Sequence, residues 1–172
     1  MSDILKLVKV NYRYCDYLRK YDNKVSYNAG KKELRPFIGV LFKINNLEYF
    51  APLSSPKPKH VNMRKAIDFL KIDDGKLGIV NFNNMIPVYE KNYELLDLSL
   101  VNKDKISSTY IKLLRKQLFW LNRHHKTLIK KSRTLYYSYI NNTLDKGIKL
   151  RCCNFKLLEQ KCMEYNKELI TI

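Results

Sequence analysis

The sequence predicts an α+β fold, with a mainly β first hundred residues and a helical C-terminal third, carried on one domain over residues 1–172. Three observations predict it. Short β-branched and apolar runs, separated by Asn, Asp and Gly turns, dominate as far as Leu100. From Tyr110 onward the apolar residues recur three and four apart. No repeat, low-complexity block or linker separates the two halves. A chain of 172 residues with 45% apolar and 28% charged content is ordinary for a globular protein with a substantial core.

Ile4–Val10 alternates apolar and basic residues and reads as a strand. Tyr14, Tyr17, Leu18 and Tyr21 give a short helix over Tyr12–Tyr21, and polar Asp22–Leu34 reads as a loop. Phe37–Ile44 and Glu48–Leu53, joined by Asn45-Asn46, form the clearest hairpin. Antiparallel pairing then puts Arg35-Pro36 and the residues after Leu53 at the same end of it. Met63, Ala66, Ile67 and Leu70 share a helical face, so a helix is expected over Asn62–Leu70 with Asn62 as its cap. Asp73-Asp74-Gly75 is a turn, and Leu77–Phe82 and Met85–Tyr89 are short strands. Ser107 or Ser108 should cap a helix over Tyr110–His124, with Ile111, Leu114, Leu118 and Leu121 inward. A second helix is expected over Ser132–Lys146, ended by Gly147 as a left-handed cap. Asn154 should cap a third, seamed by Phe155, Leu158, Cys162, Tyr165 and Leu169.

Composition narrows the function. Four cysteines, two of them adjacent, and three histidines offer neither a zinc pattern nor a disulfide framework. No run is long enough to span a membrane, and the N-terminus lacks the shape of a signal peptide, so a reducing cytoplasm is the expected compartment. Asp68, Asp73 and Asp74 are better explained by a helix face and a turn than by a metal site. The net charge is +17, and Lys103–Lys156 holds fourteen Lys or Arg against Asp104 and Asp145. A single-sign field of that size calls for a polyanionic partner: nucleic acid first, an anionic membrane surface second. Thirteen tyrosines and seven phenylalanines add rings able to stack on unpaired bases, though many must be core.

The segment from Tyr49 to His60, YFAPLSSPKPKH, carries the chemistry. A buried strand end breaks within a few residues into Ser54, Ser55, Lys57, Lys59 and His60, interrupted by Pro56 and Pro58. Proline fixes φ and removes a backbone donor, so the segment is a stiff loop. Its hydroxyls suit phosphate oxygens, its ammonium groups suit phosphate charge, and its imidazole moves protons near neutral pH. The plain alternative is a proline-rich turn with solvated lysines. His124 and His125, adjacent on a helix, point apart and make a poor acid–base pair, and Cys152 and Cys153 look like packing residues.

The same loop resembles that of the type III toxin–antitoxin endoribonucleases, the ToxN/AbiQ family. Asp16–Val25, Arg35–Val40, Leu77–Val88, Leu95–Leu98, Tyr110–Leu121 and Cys153–Glu159 continue the resemblance in order and spacing, so it covers nearly the whole chain. It implies a compact, strongly twisted antiparallel sheet with surrounding helices, similar to the Kid/MazF-type RNase toxins. It also implies metal-independent RNA cleavage, without a cofactor, to a 2′,3′-cyclic phosphate and a 5′-hydroxyl. Inhibition by a repeat-encoded RNA antitoxin folded as a pseudoknot, in a higher-order protein–RNA assembly, is implied as well, with adenine-rich single strands as substrate.

Carried over by position, Ser54, Ser55 and Lys57 stand at the family's hydroxyl, hydroxyl and lysine positions. Arg35 stands where a relative has lysine, which keeps the charge but replaces a point ammonium by a planar fork. Lys57 and Arg35 would stabilise charge on the phosphorane, and Ser54 and Ser55 would hold the phosphate or the 2′-hydroxyl. The base is not assigned: Lys57 and His60 are the candidates, and His60 is equally readable as a surface or capping histidine. Tyr27, Lys31, Lys32, Lys59, Lys112, Arg115, Lys116 and Arg123 are the candidates for binding RNA. The rival reading is a non-catalytic RNA-binding module whose loop only grips phosphate.

Overall fold

A computed structural model describes residues 5–27, 35–99 and 105–168. Its centre is an eight-stranded antiparallel sheet built around one long strand. The strands are β1 (Lys6–Val10), β2 (Phe37–Gly39), β3 (Lys43–Ile44), β4 (Leu47–Ser54), β5 (Phe69–Lys71), β6 (Ile79–Asn81), β7 (Ile86–Val88) and β8 (Tyr93–Leu95). They run β5-β6-β4-β2-β1-β8, with β3 and β7 also on β4.

β4 changes partners along its length. Along one edge Leu47 and Glu48 pair with β3, then Ala51 and Pro52 with β2. Along the other, Glu48–Phe50 pair with β7, then Leu53 and Ser54 with β6. Pro52 lacks a donor, yet it stands where β7 gives way to β6. The Leu53 N–H donates to Pro36 on the β2 edge, so alternation turns the Pro52 nitrogen to the edge where no partner needs it. Such a strand bends the sheet and leaves Ser54 at its end.

The expected strand Phe37–Ile44 is therefore two pieces, β2 and β3, bridged by Leu41 N–H to Tyr49 and by the Tyr49 N–H to Phe42. The strands around Asn83-Asn84 exist, but both pair with β4 rather than with each other. β8 has no counterpart in the sequence reading.

The helices are α1 (Tyr12–Arg19), α2 (Pro58–Asn62), α3 (Lys105–Arg123), α4 (His125–Ile140), α5 (Lys146–Arg151) and α6 (Phe155–Glu168). Asn11 caps α1 through its side chain, and Asn154 caps α6 by accepting from Leu157 N–H at 3.2 Å. Three expectations fail. The helix expected over Asn62–Leu70 is instead α2, begun by Pro58 in the first turn, followed by β5 on β6; pairing with a neighbour outweighs the spacing of Met63, Ala66 and Ile67. α3 already includes Lys105, so Ser107 and Ser108 lie within the helix rather than ahead of it. Gly147 ends no helix: α4 stops at Ile140, Asn142 takes the left-handed conformation at φ 57°, and Gly147 lies in α5, capped by Asp145.

One cluster of buried residues runs from Leu5 to Cys162 and includes Tyr14, Tyr49, Tyr136, Phe37, Phe50, Phe82 and Phe155. These rings are core and cannot stack on bases. Within the cluster the Glu159 carboxylate accepts from the Tyr49 hydroxyl at 2.7 Å and the Tyr136 hydroxyl at 2.5 Å, tying α6 to β4 and α4. Burial and the carboxylate hold both phenols protonated, far above their usual range. All four cysteines are buried free thiols. No helix among the described residues is long and apolar enough to cross a membrane.

Candidate active site

The end of β4 and the loop after it are fixed from three sides. Ser54 pairs with Ile79, and the neighbouring Asn81 side chain donates to the Ser54 hydroxyl oxygen at 2.9 Å and to the Pro52 carbonyl at 3.4 Å. An oxygen that accepts from Asn81 keeps its own hydrogen to donate elsewhere. Behind the loop lies Gly78, at φ +101°, where a Cβ would sit 2.0 Å from the Ser54 carbonyl oxygen. Gly75, at φ +91°, makes the same close approach to the His60 carbonyl. Only glycine combines that conformation with that contact. The segment is held in turn from α3, where the buried Gln117 donates to the Leu77 carbonyl at 2.7 Å.

On this support Ser54 is half-buried and Ser55, Lys57 and Lys59 are exposed. Lys57 precedes α2, and its N–H donates to the His60 ring nitrogen Nδ1 at 3.2 Å. His60 is only 1% exposed, and burial first, then Lys57 and Lys59, hold its pKa below the ordinary value. The imidazole therefore lies neutral beneath the loop with Nδ1 occupied, which makes it a support for Lys57 rather than a proton acceptor facing solvent.

Arg35 reaches the same place from the other edge. Phe37 pairs with Pro52, so the register continued outward sets Arg35 across from Ser54. The guanidinium is half-buried beside Tyr110 of α3; burial lowers its pKa and the phenol's field opposes that. Ser54, Ser55, Lys57 and Arg35 thus share one strand end, with two cations around two hydroxyls. Among the described residues no three of His, Cys, Asp and Glu gather where a metal ion could be held.

The other predicted positions are spread out. Tyr27 lies beyond α1, with the Arg19 guanidinium 4.8 Å above its ring, and Lys31 and Lys32 lie outside the described residues. Lys112, Arg115, Lys116 and Arg123 are all exposed on α3. Arg115 donates to the Leu98 carbonyl at 2.5 Å, and Arg123 lies 5.6 Å from the ring of Phe119, itself 66% exposed. Lys112, Lys116, Phe119 and Arg123 follow one another at helical spacing, an aromatic ring between cations. Sequence reasoning missed Asn81 and Phe119. Phe119 was findable as an apolar residue on the cationic face; Asn81 had no signal, because the pairing of β6 with β4 creates its role. His124 and His125 form the corner between α3 and α4, their Nδ1 atoms bonded to the Trp120 and Asn122 carbonyls.

Known proteins share this arrangement of chain. A family model described as toxin ToxN of type III toxin–antitoxin systems matches residues 6–163. The chain is 33% identical over 170 residues to endoribonuclease ToxN of Bacillus thuringiensis subsp. kurstaki, covering 96% of this chain and 87% of that protein. It is 30% identical over 174 residues to endoribonuclease AbiQ of Lactococcus lactis subsp. lactis, covering 95% and 91%. One similar solved structure, at TM-score 0.80 and 32% identity, concerns selective inhibition of a type III toxin by a non-coding RNA pseudoknot; 95% of this chain and 99% of that one are covered. Another, at TM-score 0.81 and 28% identity, is AbiQ, described as a lactococcal anti-phage endoribonuclease of a type III system, with 95% and 98% covered.

Proposed function

This chain belongs to the ToxN toxin family of type III toxin–antitoxin systems, and from that membership we infer that it is an endoribonuclease held in check by an RNA pseudoknot and acting in defence against phage. The observation that carries the chemistry is the strand end where Ser54, fixed by Asn81, meets Ser55, Lys57 and Arg35. The reaction we assign needs no metal. The ribose 2′-oxygen loses its proton and attacks the adjacent phosphorus; the 5′-oxygen leaves with a proton. The products are a 2′,3′-cyclic phosphate and a 5′-hydroxyl.

The extra negative charge on the phosphorane oxygens is the group to stabilise, and exposed Lys57 and half-buried Arg35 supply positive charge on either side of it. Ser54 and Ser55 donate to a non-bridging oxygen or hold the 2′-hydroxyl in line with the departing oxygen. Asn81 is a positioning residue for Ser54, and His60 for Lys57. The same strand end, together with the cationic face of α3, receives the antitoxin, so inhibitor and substrate compete there. Free thiols at all four cysteines and an RNA substrate favour the cytoplasm as the site of action, with residues 1–172 working as one unit.

The test is cleavage of an end-labelled single-stranded RNA in excess EDTA by the native protein and by Lys57→Ala. We expect 2′,3′-cyclic phosphate ends from the native protein and at least about a hundredfold slower cleavage from the variant. Lys57 is exposed, so the variant should stay folded. Binding without cleavage by the folded native protein would instead make the loop a phosphate grip.

A further inference from the structure

We propose that the outer face of α4 is a second RNA-binding surface, apart from the catalytic loop, and that it holds the sugar–phosphate backbone. The proposal rests on the RNA reading above. Lys126, Lys130, Arg133 and Tyr137 are exposed and follow one another at spacings of four, three and four residues. They make one strip about 16 Å long on the helix axis. With Thr134 and Ser138 they line a shallow groove of about 670 Å³. The opposite face of α4, with Leu128, Ser132, Leu135 and Tyr136, is buried, which fixes the strip outward.

The chemistry of the strip matches a phosphate chain. None of the described ion pairs uses Lys126, Lys130 or Arg133. The sequence holds no Asp or Glu from Lys105 to Leu144, and Asp145 just beyond is occupied in capping Gly147 and Ile148. Three unpaired cations side by side repel one another and are stabilised only when an anion of matching length lies over them. The Tyr137 ring, 44% exposed and set edge-on to Tyr136 at 5.3 Å, offers a stacking platform at the end of the row. The stripe on α3 has the same make-up, two lysines, a ring and an arginine, so the pattern occurs twice on successive helices. A lipid surface is the poorer fit, because the strip has no row of large exposed apolar residues to enter an acyl layer; its apolar member, Ile129, is half-buried.

The experiment compares native protein with Lys126→Gln/Lys130→Gln/Arg133→Gln, since glutamine keeps helix propensity and removes charge. The probe is a 20-nucleotide 2′-O-methyl RNA, which keeps the backbone charge and lacks the attacking hydroxyl. We expect the affinity to fall at least about tenfold at 0.1 M salt, and the slope of log K against log salt to lose about 2, the share of three phosphates on a single strand. Cleavage of an unmodified hexanucleotide should stay within about twofold, because the strip lies outside the catalytic machinery. Lys126→Arg/Lys130→Arg/Arg133→Lys should bind like the native protein, which separates lost charge from lost folding. Unchanged affinity and slope in the glutamine variant overturn the proposal. So does loss of binding to phosphatidylserine vesicles with RNA binding intact, which would assign the strip to a membrane. Failure of the native protein to cleave any RNA would instead strike the functional reading.

Discussion

His60 shows how one side chain serves a site from beneath. Its neutral ring accepts the Lys57 N–H, and burial together with Lys57 and Lys59 disfavours the imidazolium. Its folded pKa is therefore lowered, and the folded state binds this proton less readily than the unfolded chain does. The stability it supplies is complete above the unfolded value near about 6.5 and is lost as pH falls through the lower folded value, at no more than about 1.4 kcal/mol per pH unit. His60→Ala should cost about 1–2 kcal/mol at pH 7.5, the usual worth of a helix-capping contact. In urea melts the gap between native protein and variant should narrow toward pH 5. A gap that does not change with pH would contradict the neutral, accepting ring. The residue types at this site were readable from sequence, because Ser54, Ser55 and Lys57 lie within one short loop. Asn81 was not, since its contact crosses 27 residues and depends on strand order.

Elements follow the same division between local and distant causes. α1, α6 and the two strands around Asn83-Asn84 were legible because caps and periodicity are local signals. The stretch from Pro58 to Lys71 was not: its spacing favours a helix, but the chain beyond needs a β5 partner for β6, and α2 must begin early enough to place His60 under Lys57. The tight turn through Gly75 and Gly78 makes both possible. At Gly78 a methyl group meets the Ser54 carbonyl oxygen at 2.0 Å and a conformation that L-residues disfavour. Gly78→Ala should therefore destabilise the fold by about 2–3 kcal/mol and displace Ser54. Cleavage should be reduced even at temperatures where the variant is fully folded by circular dichroism. Native activity in a folded Gly78→Ala protein would mean that the loop is not positioned from behind.

For the whole molecule the governing quantity is the +17 charge and where its counter-charges are spent. Asp22, Asp68 and Glu159 are buried: Asp22 accepts from the Asn154 and Lys24 N–H groups, Asp68 pairs with Arg151, and Glu159 bridges two tyrosines. Carboxylates used inside the fold cannot neutralise its surface, and α3 and α4 carry none. The free protein is then strained by its own field, most at low ionic strength, where screening is weak and repulsion reaches beyond the spacing of neighbouring cations. Its melting temperature should rise as salt increases from about 20 to 300 mM, by about 2–4 °C for each kcal/mol of repulsion relieved. RNA should do the same work at lower concentration. A 2′-O-methyl RNA at about 100 times its Kd adds about 2.7 kcal/mol, and at fixed RNA concentration this gain shrinks as salt weakens binding. Salt and RNA should therefore substitute for each other, each having less effect in the presence of the other. A melting temperature that falls with salt, or RNA stabilisation indifferent to salt, would mean that repulsion among these cations is not what the partner relieves.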